Sequence, residues 1–103
     1  MITEFYGVTY NEINIKDLAK TLSDSYSYGF IKYALFVLDE DRKHWHFYII
    51  YSRYVTLDYL EFLLGKKIML FDINKPFEKI RKYMIREDNK FTFEIGFRNE
   101  EDI

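Results

Sequence analysis

The sequence has no cysteine, one proline and four glycines among 103 residues. The absence of cysteine excludes a disulfide framework, a thiolate zinc site and a cysteine nucleophile. With 49% hydrophobic and 20% aromatic residues, the scarcity of proline and glycine argues against a disordered or low-complexity chain. No apolar run reaches the roughly 18 residues that span a bilayer, and Met1-Ile2-Thr3-Glu4 lacks the basic region that opens a secretory signal. We therefore expect one soluble globular domain over residues 1–103, with no membrane partner.

Net charge is also small, at −2, which argues against indiscriminate binding to nucleic acid. The charge is unevenly distributed, because residues 66–90 carry eight Lys and Arg against four acids. A basic segment on a neutral-to-acidic body favours a small, directed phosphate contact. A solvated, lysine-rich helix face is the alternative interpretation.

The hydrophobic pattern predicts an alternation of strands and helices. Strands are expected at Glu4–Tyr10, Phe30–Asp39, His44–Tyr51, Lys67–Ile73 and Phe91–Phe97. Helices are expected from an Asn14 cap to about Ser23, from a Thr56 cap to Gly65, and from Pro76 to about Glu87. The order β-α-β-β-α-β-α-β predicts an α+β fold with a five-stranded, largely antiparallel sheet and about three helices, in a split βαβ (ferredoxin-like, RRM-like) arrangement.

Histidine is scarce as well, and the two in the chain are His44 and His46. Side chains alternate along a strand, so both project to one face. A hairpin turn of two or four residues places Asp39 across from His44 on that face, whereas a three-residue turn favours Glu40; Asp41 is a further alternative. Two imidazoles and a carboxylate leave open positions on Mn²⁺ or Mg²⁺ where phosphate oxygens bind. The competing interpretation is a half-exposed strand that happens to carry two histidines.

Tyr83 is the candidate nucleophile. By helical angle it falls roughly 100° from the centre of the stripe formed by Phe77, Ile80 and Met84, on the flank of its helix. Arg86 shares that side and can meet a phosphate bidentately. A phenol keeps its proton at neutral pH, so its attack on phosphorus needs a cation to offset the developing charge. The alternative is an ordinary tyrosine, one of ten, at a helix–sheet boundary.

Taken together, three segments resemble the nicking domain of HUH replication initiators from rolling-circle viruses and plasmids (circovirus, nanovirus and geminivirus types). The first motif of that family is matched by Phe5-Tyr6-Gly7-Val8-Thr9-Tyr10-Asn11, and the His-hydrophobic-His motif by His44-Trp45-His46. The helical Tyr-x-x-Lys motif is matched by Tyr83-Met84-Ile85-Arg86, followed by Phe93-Glu94-Ile95-Gly96. Arg86 departs from the family's Lys, and its fork geometry differs.

The resemblance implies an HUH endonuclease fold and a metal-dependent, sequence-specific enzyme that nicks and joins single-stranded origin DNA to initiate rolling-circle replication. It implies that Tyr83 forms a 5′-phosphotyrosine link with help from Arg86. His44, His46 and an acid (Asp39 or Glu40) would hold Mn²⁺ or Mg²⁺, and Tyr10, Lys79, Lys82 and Arg86 would contact DNA.

The same resemblance implies where in the cell the protein acts and with which partners. We expect an intracellular protein, in the cytoplasm of a prokaryote or in the nucleus if it comes from a eukaryotic virus, with replication proteins or further copies as partners. The family's helicase domain has no counterpart here, so we expect nicking and joining without unwinding. The alternatives are a non-catalytic single-strand-binding module, an HUH transposase or relaxase, and a protein-interaction domain.

Overall fold

The computed structural model describes residues 2–39, 44–86 and 90–96. Within these ranges the chain forms, in order, β1 (Ile2–Thr9), α1 (Ile15–Ser27), β2 (Ile31–Asp39), β3 (His44–Val55), α2 (Leu57–Leu64), β4 (Ile68–Leu70), α3 (Phe77–Met84) and β5 (Lys90–Ile95). The fold is therefore α+β, as predicted. No described helix combines the length and hydropathy of a membrane-spanning one.

The strands form one sheet in the order β4-β1-β3-β2-β5, and each neighbouring pair is antiparallel. Strand β3 lies between β1 and β2, the two strands that α1 connects. This insertion is the split βαβ arrangement, so the predicted fold class is confirmed. The fifth strand adds to the free edge of β2.

Two helix starts follow the local signals read from the sequence. The Asn14 side chain accepts a hydrogen bond from the Asp17 N–H, and Thr56 accepts one from Tyr59. Gly65 closes α2 with φ of 88°, a left-handed conformation that favours glycine. Pro76 lies one position earlier than predicted, as the N-cap of α3 rather than its first residue.

Other boundaries differ from the prediction. Helix α1 runs to Ser27 rather than Ser23, and β4 covers Ile68–Leu70 alone. Strand β3 continues to Val55 through polar residues, because backbone bonds such as that from the Ser52 N–H to the Phe30 carbonyl keep it in the sheet. Helix α3 ends at Met84, and the predicted end at Glu87 lies outside the described residues.

Each face of the sheet has its own buried cluster. On one face, α1 and α2 pack through Leu18, Leu22, Leu60 and Leu64 over Phe5, Phe36, Phe47 and Ile49. On the other face, α3 packs through Ile80 and Met84 over Tyr33, Leu35, Tyr48 and Ile50. The central strands β2 and β3 are therefore apolar on both sides. Helix α3 is short, and beside it the His44 end of the second face carries the polar groups described next.

The end of β1 is fixed by polar contacts with the chain around α2. The Thr9 hydroxyl and the Asn11 amide both donate to the Leu64 carbonyl, at 3.2 and 2.9 Å. The Tyr10 N–H donates to the Lys67 carbonyl at 2.9 Å. These bonds satisfy a carbonyl that the end of α2 leaves without an intrahelical partner, and they hold Tyr10 from both sides.

Candidate metal centre and adjoining cleft

The two histidines and an aspartate meet at the β2–β3 hairpin. Asp39 pairs directly with His44 across the ladder, the register expected for a four-residue turn. His46, two positions on, projects to the same face. All three side chains are buried, with at most 9% of each residue exposed. Glu40 and Asp41, the other acids considered for this role, lie outside the described residues.

The spacing of these side chains fits one small cation. The Nε2 atoms of His44 and His46 each lie 3.9 Å from Oδ2 of Asp39, and one ligand atom of each residue lies within 4.8 Å of the others. Metal bonds to such ligands are roughly 2.0–2.2 Å long, so two atoms bound to one ion lie at most about 4.4 Å apart. The cluster could therefore hold a metal ion after a shift of a few tenths of an ångström.

An open cleft of about 570 Å³ adjoins the metal cluster. His44 and His46 line it from β3, and Tyr83 lines it from α3. Tyr83 is 53% exposed, on the flank of its helix rather than in the core, as the helical angle predicted. The structure thus brings two of the expected metal ligands, His44 and His46, and the expected nucleophile to one solvent-accessible space; Asp39 is not among the described residues that line it.

Basic and aromatic side chains complete the walls of the cleft. Of the residues expected to contact DNA, Tyr10 and Lys79 line it. The Tyr10 ring lies 5.2 Å from that of His44. The sequence reasoning missed Lys75, which also lines the cleft and lies close to the start of α3. Lys82 is exposed on α3, and it is not among the described residues that form the walls.

Arg86 contacts the side chain of Tyr83. Its guanidinium carbon lies 4.5 Å from the centre of the Tyr83 ring, in a cation–π contact. Arg86 is not among the described lining residues of the cleft. The contact places a positive charge over the ring of Tyr83.

A second phenol in the cleft, that of Tyr6, was not anticipated from the sequence. Tyr6, Val8 and Tyr10 alternate along β1, and Val8 pairs with His46 in register, so this alternation was the available signal. Burial raises the pKa of Tyr6, the charge on an ionised Tyr83 raises it further, and Arg86 lowers it. Tyr6 therefore keeps its proton at neutral pH and can donate a hydrogen bond inside the cleft.

No protein-family model, curated protein or solved structure matches the chain.

The helix that carries Tyr83 is attached to the sheet by an ion pair. The guanidinium of Arg81 donates to both carboxylate oxygens of Glu94 on β5, at 2.6 and 2.9 Å. The buried hydroxyl of Tyr33 on β2 donates to the same carboxylate. The two hydrogen bonds from Arg81 are the main cause of a lowered Glu94 pKa. This cluster fixes α3 against β2 and β5, and with it the position of Tyr83.

Proposed function

We propose that the chain is a metal-dependent endonuclease of the HUH replication-initiator type, which nicks and rejoins single-stranded DNA through Tyr83. The observation that carries the proposal is that Tyr83 shares an open cleft with His44 and His46, beside a carboxylate spaced for a cation. Imidazoles and a carboxylate that hold a cation, next to a phenol, can catalyse phosphoryl transfer to tyrosine, because the cation polarises the phosphate that the phenol attacks.

The proposed reaction exchanges one phosphoester for another. The Tyr83 hydroxyl oxygen attacks phosphorus and forms a bond to it, and the bond to the 3′ oxygen breaks. The phenol loses its proton and the departing 3′ oxygen gains one, so the products are a 5′-phosphotyrosine and a free 3′-hydroxyl. Attack by a 3′-hydroxyl on that phosphotyrosine reverses the exchange and joins the strand.

The residues around the phosphate have separate roles in this proposal. A divalent cation bound by Asp39, His44 and His46 would polarise the phosphate and offset the charge that develops on it. Arg86, stacked on the Tyr83 ring, would hold a positive charge beside the reacting phosphate. The protonated hydroxyl of Tyr6 would donate a hydrogen bond to the DNA strand bound in the cleft.

The basic and aromatic walls fit a single strand of nucleic acid. Lys75 and Lys79 bring positive charge to the cleft, which Asp72 also lines, and backbone phosphates would lie beside the two lysines. Tyr10, just after β1, lines the same cleft and is half exposed. It offers a ring for base stacking, which is worth about 1–3 kcal/mol per base. These contacts would position the strand without fixing its sequence.

A denaturing gel tests the nucleophile. The protein is incubated with a pool of single-stranded hairpins and Mn²⁺, and a covalent protein–DNA complex is expected. Tyr83→Phe should abolish the complex, whereas Tyr28→Phe, at a tyrosine that is 76% exposed on α1's C-terminal cap, should leave it unchanged. A complex that persists in Tyr83→Phe and disappears in Tyr6→Phe would move the nucleophile to β1.

The same gel tests the metal. EDTA should stop formation of the complex, and His44→Ala or His46→Ala should have the same effect. Undiminished activity in either variant would remove that histidine from the site. Binding to single strands with no covalent product in the unmodified protein would instead identify a non-catalytic binding module.

A further inference from the structure

A second groove lies at the other end of β3, on the opposite face of the sheet from the metal cluster. It has a volume of about 330 Å³, and residues lining it include Phe30, Tyr51, Arg53, Tyr54 and Tyr59. Tyr51 packs with the cluster under α1 and α2, and it lies five residues from His46, or about 17 Å along a strand. We refer to this site as the aromatic groove. It plays no part in the proposed nicking reaction.

The buried hydroxyl of Tyr51 is the feature of the aromatic groove that most needs an explanation. Tyr51 is 5% exposed, and its hydroxyl is buried without a hydrogen-bond partner among the described residues. Burial, and secondly the nearby Tyr59, raise the pKa of Tyr51, so the hydroxyl stays protonated at neutral pH. A buried donor without an acceptor is unfavourable, and an acceptor supplied by a bound molecule would relieve it.

The charged residue of the aromatic groove indicates that the bound molecule carries an anionic group. Arg53 is the one charged residue among the described residues that line the aromatic groove. Its guanidinium carbon lies 4.4 Å from the centre of the Phe30 ring. A stacked guanidinium keeps its N–H groups free in its own plane, where they match the oxygens of an anion such as phosphate.

The rings beside Arg53 provide flat apolar surface. Tyr54 is 68% exposed and Tyr59 is 45% exposed, and both line the aromatic groove. Solvent-facing aromatic rings next to a cation are the arrangement that receives a stacked base together with its phosphate. A volume of about 330 Å³ is near the lower end of ligand sites, which span roughly 300–1,000 Å³, so the ligand is small.

We propose that the aromatic groove binds one nucleotide unit, with its phosphate on Arg53, its base stacked on Tyr54 or Tyr59, and an acceptor atom on the Tyr51 hydroxyl. A free mononucleotide and a single nucleotide of a longer strand present the same chemistry. The aromatic groove shares no lining residue with the cleft beside the metal cluster. Binding at the groove can therefore be tested separately from the nicking activity.

Titration of ¹⁵N-labelled protein with dAMP in EDTA tests the site, because chelation removes any cation-dependent binding at the hairpin. Amide shifts are expected at residues 51–59, and deoxyadenosine or inorganic phosphate alone should bind at least tenfold more weakly. Arg53→Gln should weaken dAMP binding at least tenfold. The control Lys20→Gln, which removes an exposed positive charge from α1, should leave it unchanged.

Tyr51→Phe separates a ligand contact from a structural role. If the hydroxyl meets the ligand, the variant binds dAMP several-fold more weakly while its melting temperature is equal or higher. A tetranucleotide that binds more tightly than dAMP, and still depends on Arg53, identifies a strand as the source; equal affinities identify a free nucleotide. Absence of shifts with both probes, or binding that Arg53→Gln does not reduce, would overturn the proposal.

Discussion

Glu94→Gln should loosen the helix that carries Tyr83. The glutamine keeps nearly the same shape but loses the charge that Arg81 contacts with two hydrogen bonds. It also replaces one acceptor oxygen by an amide group that donates. One donor of the cluster formed by Arg81 and Tyr33 is then left without its acceptor.

The size of the effect follows from how far the pair is shielded from water. The Arg81 side chain is 38% exposed and that of Glu94 is 19% exposed. Exposed ion pairs contribute about 0–1 kcal/mol, whereas breaking a fully buried pair costs about 3–5 kcal/mol. For this intermediate case we expect a loss of about 1–2 kcal/mol in the free energy of unfolding. In a domain of this size that lowers the melting temperature by about 4–16 °C.

The stability lost in Glu94→Gln should depend on pH, because only the ionised carboxylate forms the ion pair with Arg81. A glutamate in an unfolded chain has a pKa near 4.3, and contact with Arg81 lowers the pKa of Glu94 in the folded protein. The contribution of Glu94 to stability is therefore fully present above about pH 4.3, and it is lost as the pH falls through the folded pKa. The difference in stability between the wild-type protein and Glu94→Gln should be largest near pH 7 and should shrink in acid.

Urea unfolding followed by the fluorescence of Trp45, the one tryptophan, measures this difference at each pH. Glu12→Gln, at an exposed residue between β1 and α1, serves as the control and should change stability by less than about 0.5 kcal/mol. If Glu94→Gln were as stable as the wild-type protein at pH 7, or if its deficit were the same at pH 3, the ion pair would not anchor α3 as argued.

Three further changes test the metal cluster and the packing. Asp39→Asn should weaken Mn²⁺ binding at least tenfold by calorimetry, since outer-shell contacts alone are worth 10–100-fold; unchanged affinity would exclude Asp39 as a ligand. Gly7→Ala should cost about 1–3 kcal/mol, because an added Cβ would collide with the Met69 carbonyl, and an equally stable variant would contradict that close approach. Met84→Ala should cost about 2–5 kcal/mol in urea, because Met84 is fully buried, whereas Met69→Ala, at a side chain that is 52% exposed, should cost far less.

Much of the fold could be predicted because its signals are local. The long apolar run of β2 identifies a central strand, and the spacing of Phe77, Ile80 and Met84 identifies the face of α3 that meets the sheet. The pairing of Asp39 with His44 was predicted for a hairpin turn of two or four residues, with Glu40 and Asp41 left as alternatives. Each of these inferences depends on residues within a few positions of one another.

The remaining features depend on contacts between distant segments. Arg81 and Glu94 are both common surface residue types, and nothing in their local sequence indicates that they meet across α3 and β5. The inclusion of Tyr6 in the cleft required knowing that β1 lies beside β3. The cation–π contact of Arg86 with Tyr83 depended on side-chain direction, which helical spacing constrains but does not determine.

The bonds at the end of β1 have a consequence for binding at the cleft. Thr9 and Asn11 flank Tyr10, and both reach a helix on the opposite face of the sheet. The backbone of Tyr10 is therefore immobilised when the domain folds. In the proposed binding of a DNA strand, the entropy of ordering that backbone would not be lost a second time. The affinity of that proposed stacking should accordingly depend on Asn11, although Asn11 is not among the described residues that line the cleft.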